Sequence, residues 1–357
     1  MGKLALHKYF SLMLLIFQMV VIIFTIMGLL GGLKHPAGHM ATALLVYSLP
    51  ILISIMGLLM IYRLIRRQWI LAGVQLVVLL FCLPYVGCIV QPRSLGKVSK
   101  EGCVTVASYN VARFGKNASA FIAQDILSEM RSENVDIICF QEYSNDGGSQ
   151  KNSDSYKAFY PYMVMGNNDM IIYSRYPIKD TQNIPFDNSS NSMMWADIDV
   201  KGKTVRVFNV HLQTTGINRT LRKAAQSHME GEAVGATDEG AEVSSLAGAL
   251  YGNYAVGMVV RADQSETVAR EVAASEVPAI VCGDLNDVPY SYVYNQVKGD
   301  LSDGFRECGG GWMRTFRGGK SVRIDYIFHD RSMEGVEYFR KELTYSDHYP
   351  IFMLLKI

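Results

Sequence analysis

PAIVCGDLND, residues 278–287, is an apolar run that breaks abruptly into two carboxylates and an amide. Ala279–Cys282 is continuously apolar, the pattern of a strand covered on both faces. Gly, Asp and Asn all favour turns, so GDLND alone reads equally as a simple turn. In an extended backbone, however, Asp284 and Asn286 face the same side.

The same pattern recurs on both sides of this stretch. Strand-like runs are VTVASYN (104–110), DIICF (136–140), MIIYS (170–174), WADIDV (195–200), TVRVFNV (204–210), RIDYIF (323–328) and IFMLLKI (351–357). Helix-like stretches lie at about 118–131, 219–229 and 260–274, and residues 230–256, rich in Gly, Ala, Ser and Glu, read as a variable insertion. This alternation predicts an α/β layered domain. Polar residues sit at the strand ends: Asn110; Gln141 and Glu142; Asn209 and His211; Asp284, Asn286 and Asp287; Asp325 within RIDYIF; Asp347 and His348 before the last run. One such residue would mark a turn. Six sets point to strand ends converging on one site.

SYNV, FQE, NVHL, GDLND, RIDYIF and SDHYPI occur in the order and rough spacing of the endonuclease/exonuclease/phosphatase (DNase I-like) family, which the stretch 103–357 resembles. The resemblance implies a four-layer α/β sandwich with two central mixed β-sheets between helices. It further implies that Glu142 binds Mg²⁺ (or Mn²⁺), a hard cation that takes oxygen ligands, with Asp347 on the metal side. Asp284 matches the base that activates water, and Asn110, Asn209 and Asn286 match the amides that hold the phosphate. His348, oriented by Asp325, matches the imidazole that stabilises developing negative charge. His211 matches a second histidine that protonates the leaving oxygen. Asp303, Tyr173, Arg261 and Gln264 read as structural or supporting residues. The inositol-phosphatase branch carries an aromatic–Arg pair after GD-x-N. Asp287 and Val288 stand there instead, against that branch.

The front of the chain is of a different kind. Residues 1–100 contain no Asp or Glu, and apolar spans at about 9–33, 40–62 and 69–90 reach the roughly 20 residues that cross a bilayer. A cleaved signal peptide is the competing reading of the first span, but the span is long for one and two more follow closely. Residues 1–90 are therefore expected to be a membrane anchor, 91–102 a linker, and 103–357 the catalytic domain. Lys3 and Lys8 precede the first span, and Arg63, Arg66 and Arg67 separate the second from the third. The positive-inside rule then puts the catalytic domain outside the cytoplasm, although Arg93, Lys97 and Lys100 pull the other way.

Of the 34 Lys and Arg, nine lie before residue 101, leaving 25 against 33 acidic residues and a formal net charge of −8 on the rest. That balance argues against avid duplex DNA binding, which needs a basic face. The expected activity is metal-dependent hydrolysis of a phosphate ester. The alternatives are a phospholipid or sphingomyelin phosphodiesterase and an inactive membrane-anchored scaffold. The expected partners are the bilayer and a phosphate ester of nucleic acid or lipid, with no stable protein partner. Cys82, Cys88, Cys139 and Cys282 read as buried, while Cys103 and Cys308 stay open to pairing in an oxidising compartment. The methionines, Met163, Met165, Met170, Met193 and Met194 among them, read as core filler.

Overall fold

The structure is a computed structural model and describes residues 3–93, 101–112, 120–143, 154–167, 170–187, 189–214, 239–317 and 321–357. Three helices come first, α1 (Lys3–Gly31), α2 (Met40–Ile65) and α3 (Trp69–Val86), followed by β1 (Val90–Gln91), β2 (Val104–Asn110), α4 (Ala120–Ser132) and β3 (Ile137–Gln141). Then come β4 (Tyr162–Met165), β5 (Ile171–Ser174), β6 (Ile178–Pro185), β7 (Ser192–Val200), β8 (Lys203–His211), α5 (Glu239–Ala273) and β9 (Ala279–Asp284). The chain closes with α6 (Tyr292–Lys298), β10 (Ser302–Asp303), α7 (Gly304–Cys308), β11 (Gly311–Trp312), β12 (Asp325–His329), β13 (Glu334–Arg340) and β14 (Ile351–Lys356).

Two six-stranded sheets form the centre, in the orders β13-β14-β2-β3-β5-β4 and β10-β12-β9-β8-β7-β6. Both are mixed: β2–β3 and β8–β9 are parallel and the other pairs antiparallel. Alternation along the strands explains the layering. Val104, Val106, Ile137, Cys139, Val205, Val207, Ile280 and Cys282 face inward and form the core between the sheets. Ala107, Tyr109, Ile138 and Phe140 face outward, onto Ala123, Ile126, Leu127 and Met130 of α4. Phe208, Val210, Ala279 and Val281 do the same for the other sheet, against Val268 of α5 and Val293, Tyr294 and Val297 of α6. Helix, sheet, sheet and helix make the four layers that the resemblance implied.

Several expectations change in detail. The stretch 239–256, part of the expected variable insertion, is helical and forms the first half of α5, so the helix expected at about 260–274 begins at Glu239. The helix expected at 219–229, residues 230–238 of the insertion and residues 94–100 of the linker lie outside the described residues. Met170, Met193 and Met194 are buried, but Met165 is 37% exposed, because β4 is an edge strand. Cys103 and Cys308 are not joined. Asp303 is structural: it caps α7 and is paired with the buried Arg323 at 2.6 Å.

The first three helices contain spans, Leu6–Gly31, Met40–Ile65 and Trp69–Val86, long and apolar enough to cross a membrane. Small residues let them pack: a Cβ at Gly31 would stand 2.2 Å from the Thr42 carbonyl, so only glycine allows α1 and α2 so close. Apolar side chains such as Phe10, Ile51, Leu58, Ile70 and Phe81 face outward, as on a surface solvated by lipid. Arg63 belongs not to a loop but to the last turn of α2, where it is buried and donates to Gln18 and Gln68.

Candidate active site

The inward-facing rows of the central strands are apolar through the core and turn polar at one end, the last residues of β2, β3, β8 and β9 and the first residue of β12. In the second sheet one rung carries three such ends. His211 of β8 stands beside Asp284 of β9, which stands beside Asp325 of β12. In the first sheet Asn110 of β2 pairs with Gln141 of β3, and Glu142 follows. His348 lies shortly before β14, whose first residue, Ile351, pairs with Ser108 of β2. Sheet pairing therefore gathers residues that are far apart along the chain.

Backbone geometry sharpens the cluster. Glu142 and Asn286 both have φ of +52°, and Ala112 has +45°. Such left-handed non-glycine residues cost energy and collect where a site demands a particular direction. Gly283 is required for another reason: a Cβ there would fall 1.9 Å from the Val210 carbonyl, blocking the close approach of β9 to β8.

Asp284 is the hub. Its Oδ2 accepts from Asn110 Nδ2 at 3.0 Å, and the same amide nitrogen donates to Glu142 Oε1 at 3.2 Å. Its Oδ1 accepts from the Asn286 backbone N–H at 2.8 Å. His348 Nε2 lies 3.6 Å and His211 Nε2 3.9 Å from Asp284 Oδ2, and His211 Nε2 is 3.8 Å from Glu142. His348 Nδ1 faces both Asp325 oxygens, at 3.0 and 3.1 Å, which fixes the ring and points Nε2 at the hub. Asn286 donates its side-chain amide to the Leu212 carbonyl at 2.9 Å, so its reach into the cluster runs mainly through its backbone.

These surroundings set the charges. Burial raises Asp284 from the usual carboxylate value to about 6, helped by Asp325 and opposed by His348 and His211. Burial disfavours the charged form of His348, but Asp325 and Asp284 overcome this and raise it to about 10, so the ring is held as imidazolium.

One expected site residue stands elsewhere. Asn209 is fully buried, and both its amide donations go to the first sheet, to the carbonyls of Phe140 at 2.9 Å and Ile171 at 3.1 Å, while its oxygen accepts from Gln141 at 2.7 Å. It ties the two sheets together, and its donors are spent on backbone rather than turned to a phosphate. Asp347 is exposed, beside the cluster, and adds its charge to those acting on His348.

Other residues complete the site. Ser346 Oγ donates to the Asn110 carbonyl at 2.7 Å and accepts from the His348 N–H at 3.1 Å. Its signal was present in SDH as a hydroxyl able to bond its own backbone two residues on. Thr315 Oγ1 accepts from the N–H groups of Ile324 and Asp325, and Phe316 packs edge-on against His348 with ring centres 5.0 Å apart. Nothing in the local sequence marks either, because both act through contacts made only on folding.

The donor set fits a divalent cation. Asp284, Asp325 and His348 bring polar atoms within 4.8 Å of one another, but His348, held as imidazolium, has no lone pair to offer a metal, which leaves the carboxylates as the donors. Asp325 is already engaged by His348. Glu142, its side chain 39% exposed, is the carboxylate on the open side of the cluster that would hold such an ion.

Fold and site together define a double-sheet α/β protein with a carboxylate–imidazole cluster at the strand ends. Residues 107–348 match the model of the Endonuclease/Exonuclease/phosphatase family, and the chain belongs to that family of hydrolytic phosphoesterases. Among solved structures it is similar to an endonuclease/exonuclease/phosphatase from Beutenbergia cavernae, 19% identical over 72% of each chain, with a TM-score of 0.51. It is also similar to D. rerio TDP2 humanised by 14 mutations (14% identical, 72% of this chain and 100% of that one, TM-score 0.50). A truncated Caenorhabditis elegans TDP2 is alike to the same degree (16% identical, 71% and 97% covered, TM-score 0.50). At these identities the likeness is one of fold. Among curated proteins none matches by sequence.

Proposed function

We propose that the protein is a membrane-anchored, Mg²⁺-dependent phosphoesterase that cleaves a phosphate ester by in-line attack of water. The observation that carries this reading is the single amide of Asn110 bridging Glu142 and Asp284, with two imidazoles turned to the same aspartate. When bound at Glu142, with Asp347 on the metal side, Mg²⁺ (or Mn²⁺) supplies neutralising charge to the phosphate oxygens.

The chain's own groups do the rest. Asp284 Oδ2 takes a proton from the attacking water; its raised proton affinity, about 6, suits a base that works near neutrality. The His348 imidazolium, held by Asp325, donates to a phosphate oxygen as charge grows there. His211 gives a proton to the leaving oxygen. Asn110 holds Glu142 and Asp284 in register, and Asn286 fixes Asp284 through its backbone N–H. This reading leaves Asn209 out of the phosphate contacts.

The anchor reading rests on the three apolar helices. The α1–α2 connection touches the catalytic domain, through Gly32 O to Asn295 and His35 to Asp263. The chain after α3 belongs to the same domain, which supports one membrane face for both. With Arg66 and Arg67 at the opposite end, the positive-inside rule favours an extracytoplasmic catalytic domain.

The test is hydrolysis of a phosphodiester by the full chain in detergent, with and without EDTA. Glu142→Ala, Asp284→Ala and His348→Ala should each abolish turnover and leave the fold intact by circular dichroism. Wild-type rates in all three variants would remove the mechanism.

A further inference from the structure

The loop that leaves β9 has two sides. Asn286 faces the cluster, and the next residue, Asp287, turns away and is 3% exposed. Its carboxylate is not idle. Arg261 Nε of α5 donates to Oδ2 at 3.0 Å, the Val288 N–H donates to Oδ1 at 2.8 Å, and Tyr47 Oη of α2 donates to Oδ1 at 2.5 Å. Arg261, fully buried, also donates to the Gln213 carbonyl at 2.9 Å and to Tyr47 Oη at 3.4 Å. Gln213 follows His211 closely, and its own N–H is held by Gln264 at 2.8 Å. One guanidinium therefore clasps the exits of β8 and β9, the two strands that deliver His211 and Asp284. The third partner of the clasp is a side chain of a membrane helix.

The bundle grips the same loop further on. Tyr85 of α3 packs edge-on against Tyr290, with ring centres 5.6 Å apart. Val46 and Leu49 of α2 cluster with Val288 and Tyr290. A Cβ on Gly32 would lie 1.8 Å from the Tyr290 carbonyl, so the end of α1 sits directly on the loop. Asn286 and Tyr290 both hold left-handed φ, +52° and +67°, which a loop keeps only when its surroundings over-determine it.

We propose that the membrane bundle is a working part of the active site: Tyr47, through Asp287 and Arg261, is a positioning residue that sets the geometry of Asp284, Asn286 and His211. The inference rests on the phosphoesterase reading above. It goes beyond that reading, because an anchor that merely tethers would need no hydrogen bond to the catalytic loop. Small displacements of reacting groups are costly, on the order of 100-fold per ångström, so loss of one tie is expected to slow turnover.

The experiment uses the full chain in detergent micelles with Mg²⁺ and bis(p-nitrophenyl) phosphate, a soluble diester that needs no membrane to reach the site. Tyr47→Phe is expected to lower kcat by roughly tenfold, with KM within about twofold and the thermal midpoint unchanged. Asn295→Ala removes a different bond between bundle and domain, the one to the Gly32 carbonyl at 3.0 Å, and should leave kcat near wild type. The pair Tyr47→Phe and Asp287→Asn should be non-additive in kcat. Wild-type kcat in Tyr47→Phe, or an equal loss in Asn295→Ala, overturns the proposal while the phosphoesterase reading stands. A wild-type chain no more active than Asp284→Asn removes both.

Discussion

Asp284, the last residue of β9, and Asp287, three residues on in the loop that follows, are both buried carboxylates, and they meet opposite fates. Asp287 faces a guanidinium at 3.0 Å that remains charged at any working pH, and a tyrosine and a backbone N–H fill its other positions. Asp284 faces two imidazoles, an amide and a second carboxylate, and burial pushes it up to about 6. A carboxylate whose oxygens are all taken by a guanidinium, a phenol and a backbone N–H serves structure. One among titratable neighbours keeps its affinity for a proton and stays available for chemistry. Burial alone does not separate the two; the partner does.

The widest break between them should appear on exchange. Asp284→Asn keeps the size and most hydrogen bonds but removes the base, so activity should fall by about 10³-fold or more. Its thermal midpoint should hold or rise, since the exchange removes a carboxylate that is disfavoured mainly by its burial. Asp287→Ala should do the reverse. It strands Arg261 without a counter-ion in a fully buried position and should cost about 3–5 kcal/mol of stability in a denaturant titration. If Asp284→Asn instead unfolds the protein while Asp287→Ala melts like wild type, the division of roles is wrong.

The protonation of Asp284 offers a finer test. Its carboxyl is raised to about 6, so the basic form is present above that pH and is lost below it. The rate kcat/KM should therefore fall about tenfold per pH unit below about 6. His348, raised to about 10, should keep its proton across neutrality and give a falling limb only on the alkaline side. A profile flat from pH 7 down to pH 5 would deny Asp284 the role of base.

The contrast also shows what the sequence could reveal. The strand-end residues were legible because strand geometry is local: an apolar inward row that ends in Asp284, in Asn110 or in His211 announces itself within a few residues. The family resemblance added the four layers, which periodicity could not. The clasp was illegible. Arg261 stood out only as a helix residue near Gln264, Asp287 as one more polar residue after β9 and a departure from one branch's pattern, and Tyr47 as one more side chain in an apolar span. Their meeting depends on how α2 and α5 dock on the loop, information held in tertiary packing alone. The insertion at 239–256 misled for a related reason. Its glycines and serines are weak helix formers, which hid the alanines that favour a helix, and α5 is a single helix through to Ala273.

Asn209 gives the mildest test. The resemblance cast it as a phosphate ligand, but in the fold its amide joins the carbonyls of Phe140 and Ile171 across the two sheets. The two roles predict different losses. A phosphate ligand replaced by alanine would slow turnover steeply and leave stability almost untouched. A tie between sheets would leave two buried carbonyls and the Gln141 amide short of partners, at a cost of about 1–3 kcal/mol. Asn209→Ala should therefore lower the denaturation midpoint while kcat/KM of the folded fraction stays within a few-fold of wild type. A fall of 100-fold or more in kcat/KM at unchanged stability would return Asn209 to the site and require its amide to leave the sheets when substrate binds.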